Sequence, residues 1–146
     1  MICQSDRTTL LDQLDVLLSK TVNLFTRSLA EVVRGKISIP QFIVLKILHD
    51  FGRSSVSQMA AKLGITLSAV TSLGDGLVRA SLVERVRDEK DRRVVWLQIT
   101  AKGIELVREL ERRRREEMER LASRLSPEQL EELVHILGRL VATGGR

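Results

Sequence analysis

The stretch LSAVTSLGDGLVRASLVERV, Leu67 to Val86, decides how the chain is read. On a helix of 3.6 residues per turn, its first half places Val70, Leu73, Gly74 and Leu77 on one side and Ser68, Thr71, Ser72, Asp75 and Arg79 on the other. Its second half, LVERV, is rich in β-forming residues and reads as a strand. Gly74 and Gly76 interrupt the helical half, each at a cost of about 1 kcal/mol relative to alanine. Gly74 falls on the inward side, where a missing side chain lets a neighbouring helix approach, and Gly76 falls on the flank. A continuous helix that is softer in its C-terminal half is therefore expected.

Upstream, SSVSQMAAKLGI offers Ser55 or Ser57 as an N-cap, a brief helix bearing Met59, Ala60 and Leu63, and Gly64 at a tight turn. Thr66 then caps the helix of the opening stretch. Two short helices joined in this way form a helix-turn-helix pattern. Downstream, LVERV and RVVWLQI flank the polar connection RDEKDR, so a β-hairpin, or wing, follows directly. Further out, apolar residues from Leu10 to about Val33 keep helical spacing up to Gly35, and a second helix carries Pro40 near its first turn and stops at Gly52. Beyond Gly103 the chain is helical from Ile104 to Leu125. It restarts at SPEQL, where Ser126 caps, Pro127 takes N1 and Gln129 completes a capping box.

The expected fold is mainly α with a small β-wing, in one domain over 1–146. A winged helix-turn-helix module (38–100) lies between an N-terminal helix (7–35) and C-terminal helices (101–146). The outer helices carry apolar stripes with little in the chain to cover them, which points to a second copy and so to a homodimer joined through those helices.

Composition narrows the partners. The 146 residues are 43% apolar and 29% charged with a formal net charge of +5, which suits a folded domain with a polyanionic partner. Cys3 is the single cysteine, so no intramolecular disulfide forms and a reducing cytosol is expected. The charges at Asp6 and Arg7 exclude a secretory apolar region, and no run approaches the roughly 18 apolar residues of a membrane span. No phosphate loop, nucleophile elbow or zinc motif occurs, and His49, His135 and Cys3 lack paired metal-ligand spacing. A cytoplasmic protein without cofactor or metal, and not an enzyme, is expected.

Small polar residues on the outer side of the helix starting near Thr66 fit a DNA major groove, where bulky apolar ones would not. The wing carries Arg85, Arg87, Lys90, Arg92 and Arg93, and an arginine at a hairpin tip reaches a narrow minor groove. Glu84, Asp88, Glu89 and Asp91 nearly cancel that charge, which also fits a plain solvated turn; Asp91 is expected to orient an arginine guanidinium by a charge-assisted hydrogen bond. The candidate DNA-contacting residues are Ser55, Ser57, Thr66, Ser68, Ala69, Thr71, Ser72, Arg79, Arg87, Lys90, Asp91, Arg92 and Arg93. Trp96 is expected to pack against the base of the module, and the arginines of RELERRRREEMER to pair with interleaved glutamates.

DRRVVWLQITAKG, Asp91 to Gly103, resembles the signature of the MarR family of bacterial transcription regulators, with Asp91, Arg93, Thr100 and Gly103 in place and Ile99 where the family has leucine. SVSQMAAKLGITLSAVTSLGDGLVRASLVER resembles that family's helix-turn-helix. The resemblance implies a homodimeric repressor on a near-palindromic double-stranded DNA operator, with Arg93 probing the minor groove and Arg92 meeting phosphate. It also implies release by a small-molecule effector lodged near Leu17, Phe25, Phe42 and Leu45. Three departures stand out: Ser81 replaces a glycine before LVER, Gly74 replaces a bulky aliphatic and Gly76 a longer, often basic residue. The turn at Ser81 is thus expected to form without the easy positive φ of glycine. A winged module that binds protein is the alternative; Ser68, Thr71, Arg92 and Arg93 argue against it.

Overall fold

Thr66 fixes where the central helix begins, because its Oγ1 accepts a hydrogen bond from the Ala69 amide at 3.2 Å. The computed structural model describes residues 4–144. Its elements run in the order α1 (Gln4–Val33), α2 (Ile39–Phe51), β1 (Ser54–Ser55), α3 (Val56–Leu63), α4 (Leu67–Arg79), β2 (Val83–Arg87), β3 (Val95–Ile99), α5 (Ala101–Ala122) and α6 (Pro127–Gly144). The fold is thus mainly helical with a small antiparallel sheet in the order β1-β3-β2. Cys3 lies outside the described residues.

Local chemistry sets most boundaries. Ser38, Ser55 and Ser126 each exchange hydrogen bonds with a glutamine three residues on, at Gln41, Gln58 and Gln129, forming reciprocal capping boxes. Gly64 takes the left-handed conformation (φ 64°) that ends α3 and turns the chain into α4. Two differences from the sequence reading have simple causes. α5 begins at Ala101 rather than Ile104 because Thr100 Oγ1 accepts from the Gly103 amide at 3.1 Å, placing the cap three residues earlier. The two-residue strand β1 is too short to show a period; it exists because Ser54 and Ser55 pair with Leu97 and Trp96 of β3.

The core sits under the winged module. Val44, Leu45 and Leu48 of α2, Met59 of α3, Val70 and Leu77 of α4, Leu97 of β3 and Val107 of α5 form one buried cluster. Val32 and Val33 of α1, Phe42 of α2 and Leu110 of α5 form a second, with Ile37 and Leu106 packed against both. Each buried aliphatic contributes about 1.5–3 kcal/mol, so these clusters decide the fold while capping sets its boundaries. Lys46 also ties α2 to α5, bonding Glu111 at 2.6 Å as well as Asp50 at 2.7 Å. By contrast, the described side chains of α1 up to Arg27, and those of α6, are exposed.

Candidate nucleic-acid interface

α4 is continuous through both glycines, and its two sides divide as the wheel requires. Val70, Gly74 and Leu77 are buried, while Ser68, Thr71, Ser72 and Arg79 are exposed; Ala69 is half-buried. The hydroxyls at its start are partly engaged: Thr66 caps and contacts Ser68 Oγ at 3.1 Å, and Thr71 Oγ1 donates back to the Leu67 carbonyl at 2.9 Å. Ser68 and Ser72 are exposed within the first two turns. Ser55 is occupied as the N-cap of α3, and Ser57 lies exposed in that helix's first turn.

The glycines behave differently from the sequence expectation. A Cβ added at Gly74 would meet the Leu97 methyls at 3.5 and 3.6 Å, an ordinary contact, and those methyls belong to a strand rather than to a neighbouring helix. At Gly76 the added Cβ would stand 2.5 Å from Gln41 Nε2, the side chain that completes the capping box of α2. The close approach therefore occurs at Gly76, not Gly74. It seats the C-terminal half of α4 on the first turn of α2.

Ser81 also departs from expectation. It takes φ 60°, the single positive φ among described non-glycine residues, so the serine adopts the conformation that glycine usually supplies. Leu82 N donates to Leu77 O and Ser81 N to Val78 O, each at 2.9 Å, closing a Schellman end to α4, with Leu82 and Leu77 both buried. Thr100 Oγ1 and Lys102 Nζ bond the carbonyls of Ser81 and Ala80 at 2.8 and 2.9 Å.

The wing is organised by carboxylates that bind backbone. Asp88 Oδ1 accepts from the amides of Lys90 and Asp91, both at 2.9 Å, and its Oδ2 accepts from Trp96 Nε1 at 2.9 Å. The Asp91 amide, the Trp96 indole and the Lys90 amide, in that order, hold the Asp88 carboxyl below the usual aspartate range. Asp91 Oδ1 accepts from the Arg93 amide at 3.0 Å, so Asp91 orients backbone and not, as the sequence suggested, a guanidinium. Arg85 is withdrawn from the tip by a 2.5 Å ion pair with Asp75 that ties β2 to α4. Arg87, Lys90, Arg92 and Arg93 are exposed, and among the described residues none of them joins an ion pair.

Sequence reasoning passed over Asp88, treating it as charge that dilutes the wing. The available signal was its place two residues before Lys90 in a polar turn, the spacing at which an aspartate binds the backbone ahead of it. Trp96 is half-buried, held by Asp88 on its indole edge and by the Arg53 guanidinium 5.0 Å above its ring. Along Arg108 to Arg120, Arg112–Glu116, Arg113–Glu109 and Arg120–Glu117 pair within the helix.

The four residues expected to line one effector pocket are not brought together. Phe42 (3% exposed) and Leu45 (0%) are core residues in the two separate clusters. Leu17 is 60% exposed and borders a shallow groove with Asp12, Gln13 and Val16. Phe25 alone borders a cleft between α1 and α5, of about 260 Å³, lined also by Thr26, Ser28, Leu29, Val32, Arg114 and Met118. Among the described residues no group of three His, Cys, Asp or Glu could hold a metal, and no helix is long and apolar enough to cross a membrane.

A helical hairpin whose second helix is polar outside and leads into a β-hairpin with exposed cations defines a winged helix-turn-helix protein. Comparison with known proteins narrows this. The model of the MarR family matches residues 37–95. The chain is 34% identical to the transcriptional repressor MdtR of Bacillus subtilis over 100 residues, 68% of this chain and 64% of MdtR. It is 31% identical to the transcriptional regulator MhqR of the same organism, over 68% of this chain and 69% of MhqR. The structure of a MarR family protein from Bacillus stearothermophilus superposes with a TM-score of 0.81 at 26% identity, covering 96% of this chain and 98% of that one. The chain belongs to the MarR family of transcriptional regulators.

Proposed function

We propose that this regulator binds an operator in double-stranded DNA as a homodimer, represses transcription, and is released by a small-molecule effector. One observation carries the reading: an exposed small polar surface at the start of α4 is followed by a wing whose Arg87, Lys90, Arg92 and Arg93 are exposed and outside any ion pair among the described residues. In this reading α4 enters the major groove through Ser68, Thr71 and Ser72, while Arg93 enters the minor groove and Arg92 meets phosphate. Ser55, Ser57 and Thr66 would approach the backbone at the starts of α3 and α4, and Arg79 from the end of α4.

Supporting the homodimer, α1 exposes Leu10, Leu14, Leu17 and Leu18, and α6 exposes Leu133, Leu137 and Leu140, a larger apolar surface than a lone chain keeps in water. Supporting repression, the relative MdtR is named a repressor. For the effector we assign the cleft beside Phe25, where Leu29, Val32 and Met118 supply apolar lining and Arg114 one cation. The DNA reading is tested by a salt series on duplex DNA. Affinity that falls steeply with salt, as phosphate-bound counterions are released, supports it; a flat or absent response favours a protein-binding winged module instead.

A further inference from the structure

We infer that Arg53, outside the helix-turn-helix and the wing loop, is a DNA phosphate contact held ready by Trp96. The inference rests on the DNA-binding reading above and adds to it a residue placed by none of the sequence motifs.

The geometry begins at β1. Ser55 pairs with Trp96 of β3, and Val86 of β2 pairs with Trp96 from the other side, so Trp96 stands one residue from the end of β3 nearest the wing tip. Arg53 precedes β1, yet its guanidinium lies over the Trp96 ring at 5.0 Å. The side chain is thereby drawn along the sheet toward the wing and toward Ser55, the cap of α3. Stacking on an indole restrains a long side chain that would otherwise lose much rotamer freedom on binding. Arg53 stays exposed to solvent in this position, and the edge of a guanidinium presents paired N–H donors in the spacing that two phosphate oxygens accept.

The Asp88 carboxylate, which feels the Arg53 charge, does not consume those donors. Asp88 already accepts from Lys90, Asp91 and Trp96, and no ion pair joins it to Arg53 among the described residues. Asp88 instead fixes the indole edge and so acts as a positioning residue for Trp96, as Trp96 does for Arg53. The chain of contacts runs from the wing turn to the approach of α3. It presents an arginine between two elements that already offer DNA-facing groups.

Phosphate contacts are independent of sequence, so a mixed-sequence duplex is a sufficient probe and no operator need be known. The wild-type protein and the variants Arg53→Ala and Arg53→Lys are titrated with that duplex across a salt series. Expected for Arg53→Ala is about tenfold weaker binding at ~0.1 M salt and a salt slope lower by about one, the loss of one phosphate contact. Arg53→Lys keeps the charge but not the flat stack, and should recover the slope with only part of the affinity. A wild-type slope in Arg53→Ala, whether or not binding weakens, overturns the contact while leaving the DNA reading intact. Failure of the wild-type protein to bind the duplex at any salt overturns the DNA reading itself.

Discussion

The β2–β3 hairpin is closed at two ends by opposite means. At its base, Leu82 is buried against Leu77, and Gly103 of α5 presses so close to the Leu82 carbonyl that an added Cβ would overlap it and would stand 2.7 Å from Ile99 Cγ1. At its tip, the turn is held by polar contacts: Asp88 accepts from two backbone amides and the Trp96 indole, and Asp91 from one amide. The base is fixed by steric fit and so leaves no room for added volume at Gly103. The tip is fixed by polar contacts that water can replace, which leaves its arginines able to adjust to a groove. One hairpin thus combines a rigid mounting with an adaptable reading edge.

The largest effect should come from the base. Gly103→Ala is expected to lower stability by about 3 kcal/mol, since the clash is with backbone and cannot be relieved by rotating a side chain. Thermal or urea unfolding would show it, and a stable variant would mean that the mounting is looser than described. At the tip the expectation reverses: Arg93→Ala should weaken operator affinity by about 1–3 kcal/mol with unchanged unfolding. A titration with unaltered affinity would remove Arg93 from the interface.

Smaller changes sharpen the contrast. Ser81→Gly should stabilise the protein by about 0.5–1 kcal/mol by relieving the positive φ at the base, an increment visible as a raised melting temperature. A lowered melting temperature would show that the serine has a role beyond filling the turn. At the tip, the Asp88 carboxyl titrates below the ordinary aspartate value of 3.8, so its stabilising contribution is complete above that value and fades as pH falls below it. Trp96 is the only tryptophan and the chain has no tyrosine, so its emission reports this step directly. The acid change should vanish in Asp88→Asn; a transition centred above pH 3.8 would have another origin.

Much of the architecture was legible because caps and periodicity are local. Ser55, Thr66 and Ser126 each mark a helix start through bonds spanning three residues, and the β-forming residues of Val83 to Arg87 and Val95 to Ile99 on either side of a polar turn mark the hairpin. The outward residues of α4 were legible for the same reason. What escaped involved partners distant in sequence. Arg85 looks like one more wing cation until Asp75, ten residues earlier, is seen to bind it. Arg53 carries no motif, and its position depends on Trp96 more than forty residues further along the chain. The four residues named for an effector could not be sorted by sequence, because an apolar residue on a helix reads alike whether it lines a cleft, as Phe25 does, or fills a core, as Leu45 does.

The glycines of SLGDGL mark the division most sharply. Sequence alone determined that α4 is a helix with a polar outside and an apolar inside, because the 3.6-residue period belongs to the chain itself. It assigned Gly74 and Gly76 a propensity cost, but placed the close approach of a neighbouring helix at Gly74 rather than at Gly76. Only the tertiary structure decided that Gly74 has room for a methyl beside Leu97, that Gly76 is where the Gln41 side-chain amide closes in, and that Ser81 accepts a strained φ between Thr100 and a buried Leu82. Steric room at a residue is set by whichever neighbours the fold delivers there, and those neighbours are encoded elsewhere in the chain.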